Sequence, residues 1–247
     1  MKKKIIALSI CVALLAVAAV GTTFAYFTDT DEEENCFTIG GVSIKLGEKE
    51  RSEDGSSLVD FQQDKVLMPI VGSAQGDKED VDGVSGLPLA ANYVDKIITV
   101  ENTGKSQAYV RVFIAIPVLL DNVDDPSQNV LHFNWNTQST EEGQWLEEEC
   151  VAENVSVNGV QCNVYSRIYS SVLDSGEETE TPAYIGFYLD KNVDMDEGVY
   201  TINGEIIEFN FEDGISIPVF AQGIQAAGFE NAEEAFQMSG LPDNPWE

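Results

Sequence analysis

Two neighbouring runs of β-branched and aromatic residues limit what this chain can fold into. Tyr93–Glu101 and Gln107–Leu120 are rich in Val, Ile, Tyr and Phe, and Asn102-Thr103-Gly104-Lys105 supplies the turn between them. In the second run Ala108, Val110, Val112, Ile114 and Ile116 share one face, and Tyr109, Arg111, Phe113 and Ala115 share the other. Both faces are largely apolar, which predicts a central strand buried on both sides. Arg111 then needs a carboxylate partner or a place at the sheet edge.

Further strands are predicted on both sides of this pair. Val130–Asn136 alternates, with Leu131, Phe133 and Trp135 inward and His132 outward. Asn158-Gly159 and Asn203-Gly204 read as two-residue hairpin turns. Ala183–Leu189 places Ile185, Phe187 and Leu189 on one face, and Ile215–Ala226 reads as a last strand across Pro218. Lys65–Val71, interrupted by Pro69, is at best an edge strand. Gly47–Asp60, Gly72–Ala91 and Thr137–Glu149 read as polar or acidic loops. Asn231, with Glu234 three residues on, caps a short helix that puts Phe229, Ala232 and Phe236 on one face. The expected fold is all-β, a jelly-roll or Ig-like β-sandwich with a short C-terminal helix, over residues 26–238 as one domain with 239–247 as a tail.

The N-terminus has a separate logic. Lys2, Lys3 and Lys4 precede an apolar run from Ile5 to Val20, and Thr23-Phe24-Ala25 offers small residues for a signal peptidase. A signal peptide over residues 1–25, cut at Ala25 or Tyr26, is the expectation. The apolar run falls short of the roughly twenty residues that span a bilayer. An uncleaved anchor remains the alternative, and either way the leader is the contact with the membrane. Beyond the cut, Phe27-Thr28-Asp29-Thr30-Asp31 leads through an acidic patch to Phe37-Thr38-Ile39-Gly40-Gly41 and the alternating Val42-Ser43-Ile44-Lys45-Leu46.

The run Ala25–Thr30, then Phe37–Gly40 and Val42–Leu46, resembles the N-terminus of the camelysin and TasA-type family of exported Gram-positive proteins. Ile97–Val100, Asn102-Thr103-Gly104 and Tyr109–Val112 are similar to the same family. The resemblance implies that residues 26–46 form a β-strand segment, which a neighbouring subunit can receive in the family's fibre-formers. Phe27, Phe37, Ile39, Val42, Ile44 and Leu46 are the expected apolar contacts of that strand. It further implies a secreted location, at the cell surface or in a biofilm matrix. Self-association or other matrix proteins are the expected partners.

Charge narrows the partners. The net charge is −30, and the leader holds three of the 13 basic residues and none of the 43 acidic ones, leaving −33 beyond it. Nucleic acid is excluded, because binding it needs a positive surface. Such acidity reads as solubility outside the cell, or as cation binding and pH-dependent association. Cys11 lies in the leader, so Cys36, Cys150 and Cys162 remain. The Asn158-Gly159 register sets Val155 opposite Cys162 and Arg167 opposite Cys150. A Cys150–Cys162 disulfide would therefore need a bulge or bend near Ala152; buried or reduced thiols are the alternative.

Catalytic chemistry finds little to stand on. Camelysin-type relatives carry a metalloprotease label, yet zinc proteases need two histidines and an acidic base at fixed spacing. This chain has one histidine, His132, with no glutamate near it in sequence. No catalytic residue and no cofactor are expected. Asp190, Asn192, Asp194 and Asp196 begin with the spacing of a calcium loop, but Met195 stands where the turn glycine belongs and Thr201 where the bidentate glutamate belongs. Three readings follow: a structural matrix-fibre protein, a monomeric surface or adhesion module on the same scaffold, and a metallopeptidase-like enzyme.

Overall fold

The computed structural model describes residues 28–31, 42–62, 65, 67–136, 143–196, 199–209 and 215–246. In chain order the strands are β1 (Thr28–Asp31), β2 (Ile44–Arg51), β3 (Leu58–Asp60), β4 (Lys78–Val81), β5 (Val84–Pro88), β6 (Val94–Asn102) and β7 (Ala108–Pro117). There follow β8 (Leu131–Trp135), β9 (Glu149–Val157), β10 (Val160–Ile168), β11 (Tyr184–Leu189), β12 (Val193–Asp196), β13 (Val199–Ile202), β14 (Glu205–Ile206) and β15 (Val219–Gln225). Among the described residues one α-helix, α1, covers Ala232–Met238.

Two five-stranded antiparallel sheets make an all-β sandwich. The first runs β1-β15-β7-β10-β9 and the second β3-β2-β6-β11-β8. Strand β7 lies in the middle of its sheet with all ten residues buried, as its two apolar faces require. Its Val110, Val112 and Ile114 meet Ile98 and Val100 of β6 and Val42 and Ile44 between the sheets. Its opposite face is also covered. Tyr109 packs with Ile224, Ala232, Ala235 and Phe236 under α1. Phe113 and Ala115 pack with Phe220, with Trp246 against them. Asn231 Oδ1 accepts from the Glu234 N–H at 2.9 Å, the expected N-cap.

Arg111 is in the central strand, not at an edge. Its Nε donates to Gln222 Oε1 at 2.7 Å and its Nη2 to the Pro242 carbonyl at 2.8 Å. Its ring neighbours are Phe113 and Phe236. Asp243 stands 3.7 Å away and is largely exposed. The residues after α1 thus dock on the sheet, through contacts that no local pattern announces.

Several loop expectations give way to strands. Strand β2 continues to Arg51 and turns into β3, within the expected 47–60 loop. The expected 72–91 loop contains the β4–β5 hairpin, turned at Asp82 (φ 47°) and Gly83 (φ 85°). Val81, Val84 and Leu87 pack it on Ile97 and Ile185. Arg51 pins it by a two-point contact to Asp95 and a 2.7 Å contact to Glu79. The charges of Asp77–Asp82 hid this alternation.

Two side-chain assignments change because ladders slip. The β11 pairings shift between Tyr184 and Gly186, so Ile185 turns outward under the hairpin while Phe187 and Leu189 stay in the core. Trp135, expected inward, is 43% exposed. The β9–β10 register shifts between Cys162 and Tyr165, so Cys150 faces Tyr165 rather than Arg167. The irregularity near Ala152 exists, yet Cys150 and Cys162 are both free thiols. Trp145, within an expected loop, is buried beside Tyr169 and donates its Nε1–H to the Thr181 carbonyl at 2.7 Å.

Candidate assembly site

One side of the sandwich is built by the start of the chain. Among the described residues β1 is the outermost strand of the first sheet, where Thr28, Asp29, Thr30 and Asp31 face Ile224, Gly223, Gln222 and Ala221. It covers four of the seven residues of β15. Across the gap, Val42 and Ile44 of the second sheet's side are fully buried and Leu46 is half-buried against the same core. The two sheets approach closely at Gly223. A Cβ there would lie 2.7 Å from Ile44 Cγ2 and 3.1 Å from Val42 Cγ1. Glycine lets β15 carry β1 on its edge while Ile44 fills the space above.

Of the expected assembly residues, Val42, Ile44 and Leu46 therefore lie in their own domain. Phe27, Phe37 and Ile39, the cleavage site at Ala25 and Tyr26, and Cys36 fall outside the described residues. An edge strand of four residues holds its place by few hydrogen bonds. If it leaves, β15 presents unpaired N–H and C=O groups.

The calcium-spaced residues take other work. Asp190 Oδ2 lies 3.1 Å from His132 Nε2, and its Oδ1 accepts the Asn192 N–H at 2.8 Å. Asp194 and Asp196 belong to β12, paired with Thr201 and Val199. The His132 ring stacks on Tyr188 with centroids 5.0 Å apart. Among the described residues no group of three or more His, Cys, Asp or Glu gathers as metal ligands.

A polar cluster inside the sandwich went unread in the sequence. Asn163, Tyr165 and Arg167 alternate on β10 and point between the sheets, because the other face of β10 lies under Phe113 and Phe220. Asp121 Oδ2 accepts from Asn163 Nδ2 at 2.8 Å and from Tyr165 Oη at 2.7 Å. Arg167 donates to the carbonyls of Leu146, Asn136, Ala183 and Trp145 at 3.0, 2.9, 2.6 and 3.2 Å. Glu148 stands among Tyr184, Arg167 and Asp121, and burial pushes its carboxyl up to about 7. Burial likewise holds the Tyr184 hydroxyl well above its ordinary range. The signal available was the i, i+2, i+4 spacing of Asn163, Tyr165 and Arg167, which reads as a solvent-facing stripe unless both faces of the strand are known to be covered.

The stretch that forms β1 and β2 decides the comparison. Residues 1–52 match the family model described as Camelysin metallo-endopeptidase. The match runs one residue past β2, so the camelysin likeness covers the strands on both sides of the gap at Gly223. The searches of curated proteins and of solved structures gave no match. The described residues do not suit the metal that the camelysin description implies: the one histidine is engaged with Asp190 and Tyr188, and no set of three ligands gathers around it.

Proposed function

We propose that this chain is a secreted structural protein of the cell surface or biofilm matrix, assembling into fibres through its N-terminal strand. The observation that carries this reading is the position of β1, a four-residue strand from the chain's start, on the edge of β15. The same residues of a second copy fit that edge in the same register. Each subunit then gives a strand on one side and takes one on the other, a head-to-tail contact that does not close and so grows a filament. The camelysin likeness over residues 1–52 supports the reading, since it covers the strand that would be exchanged.

A second reading rests on the same strand. With β1 seated on its own β15, the domain is closed and serves as a monomeric adhesion or binding module. Removing residues 27–39 separates the two. A folded monomer that no longer forms filaments under negative stain, where the parent does, supports strand exchange. Filaments that persist after the deletion refute it. A parent that stays monomeric at every concentration leaves the adhesion module as the function.

A further inference from the structure

Strand β8 closes the second sheet on the side away from β3. Its ladder to β11 fixes where each backbone group points. Asp190 N–H donates to the Val130 carbonyl at 2.8 Å, and Asn136 N–H to the Ala183 carbonyl at 3.1 Å. With His132 opposite Tyr188 and Asn134 opposite Gly186, the even-numbered residues of β8 turn their N–H and C=O toward β11. The odd-numbered ones turn theirs outward. At Leu131 the outward N–H meets the Leu120 carbonyl at 3.0 Å. Beyond it, among the described residues, the N–H and C=O of Phe133 and of Trp135 have no backbone partner.

Two further features mark this edge. Exposure rises along the odd-numbered row: Leu131 is fully buried, Phe133 half-buried and Trp135 43% exposed. Charge singles out the same strand. Of the outer strands of the two five-stranded sheets, β1 carries Asp29 and Asp31, β9 carries Glu149 and Glu153, and β3 carries Asp60. Strand β8 carries no carboxylate, and residues 126–140 contain no Asp, Glu, Lys or Arg. A charge on an edge strand keeps other strands away. That guard is missing here, in a chain whose net charge is −30.

We propose that β8 docks on β8 of a second copy, antiparallel, about a two-fold axis at Asn134. The occupant follows from the edge itself. Two copies of so acidic a chain come together most readily where neither presents a carboxylate. Pairing centred on Asn134 sets Phe133 opposite Trp135 of the second copy, and Trp135 opposite its Phe133. These are the residues with free groups, so each pair exchanges both of its N–H···O=C bonds and the ladder gains four. Centring on Phe133 instead would set Trp135 against Leu131, whose N–H the Leu120 carbonyl holds. The facing Phe133 and Trp135 rings then cover each other across the seam. The contact uses the same patch on both copies and closes as a dimer. It needs nothing of β1, and it joins single subunits or whole filaments side by side.

A disulfide at the axis tests this. Residue 134 would face its own copy in a pair not joined by ladder bonds, with Cα atoms about 4.5 Å apart, within reach of a disulfide. Purified Asn134→Cys, oxidised in air, should run as a covalent dimer on a non-reducing gel, well above the level that the parent's own thiols give. Peptide mapping should find residue 134 bonded to residue 134. Trp135→Cys should stay at the parent level, because residue 135 faces residue 133 and lies about 7–8 Å from its own copy. The 134 cross-link should also form in the chain without residues 27–39, which has no β1 to exchange. Cross-linking of Asn134→Cys at the parent level, equal cross-linking at 135, or loss of the cross-link on that deletion overturns the proposal. Should Asn134→Cys fail to fold, Asn134→Asp decides. It sets two carboxylates face to face at the axis, so the dimer seen by sedimentation should weaken by roughly tenfold. A dimer of unchanged strength, or a parent that forms none, overturns the pairing.

Discussion

Gly223 on β15 and Ile44 on β2 touch so closely that a methyl group on the glycine would lie 2.7 Å from Ile44 Cγ2. Ile44 is fully buried and cannot swing aside without opening the core. Gly223→Ala should therefore cost about 1–3 kcal/mol, the range for overpacking a filled interior. In a chain of this size that lowers the melting temperature by roughly 2–4 °C per kcal/mol. Thermal unfolding by circular dichroism checks it, and an unchanged midpoint would mean the two sheets can separate there freely.

Trimming residues 241–247 should destabilise the fold although the described residues of the cut segment form no helix or strand. It removes the Pro242 carbonyl from the Arg111 guanidinium and Trp246 from Phe220. A buried donor left unpaired costs about 1–3 kcal/mol. Asp243→Ala should be nearly silent, within about 0.5 kcal/mol, because its contact to Arg111 is long and the carboxylate lies in water. Denaturant titration of both variants reads the contrast.

Glu148→Gln should change how stability depends on pH. The folded carboxyl holds its proton up to about 7 against an ordinary 4.5, so the folded chain binds that proton more tightly than the unfolded one. What the protonated Glu148 contributes is complete below about pH 4.5 and is lost as pH rises through about 7. Parent and variant should unfold alike in acid. Above about pH 8 the variant should be the more stable, by up to about 3 kcal/mol. Parallel curves across the whole range would show that the carboxyl titrates as it does in water.

Association should favour acid and salt. A charge of −33 beyond residue 25 makes neighbouring copies repel each other. Protonating carboxylates near their usual pKa of about 4 relieves this, and salt screens it. Light scattering should rise on going from pH 7 to pH 5 and with added salt. Indifference to both would remove charge as the control.

Mass spectrometry of exported material should find an N-terminus at Tyr26 or Phe27. A chain that retains residues 1–20 would make the leader an anchor and leave β1 tied to a membrane.

The sequence carried the centre of this fold well and its margins poorly. The two apolar faces of Ala108–Pro117 required burial on both sides, and β7 has it. The Asp82-Gly83 turn was equally visible in kind, but four charges in the preceding six residues drowned the alternation around it. Ladder slips were beyond reach, because a one-residue shift reverses which face a side chain takes and no local pattern encodes it. Ile185 and Cys150 both fell to such slips. The cluster around Glu148 was invisible for a related reason. Its members come from four separate stretches, and Arg167 finds its acceptors in backbone carbonyls, which every residue has.

The pairing of β1 with β15 also sets an order in time. The first strand of the chain must wait for nearly the last one to be made and delivered before it has anything to pair with. Contacts between such distant residues form late, since closing so long a loop is slow. On the export route proposed above, the N-terminal segment is thus the part of the chain that stays single longest, while other copies emerge nearby. Under that proposal, whether it closes on its own β15 or on another copy's is decided by how crowded the copies are, not by a difference in fit.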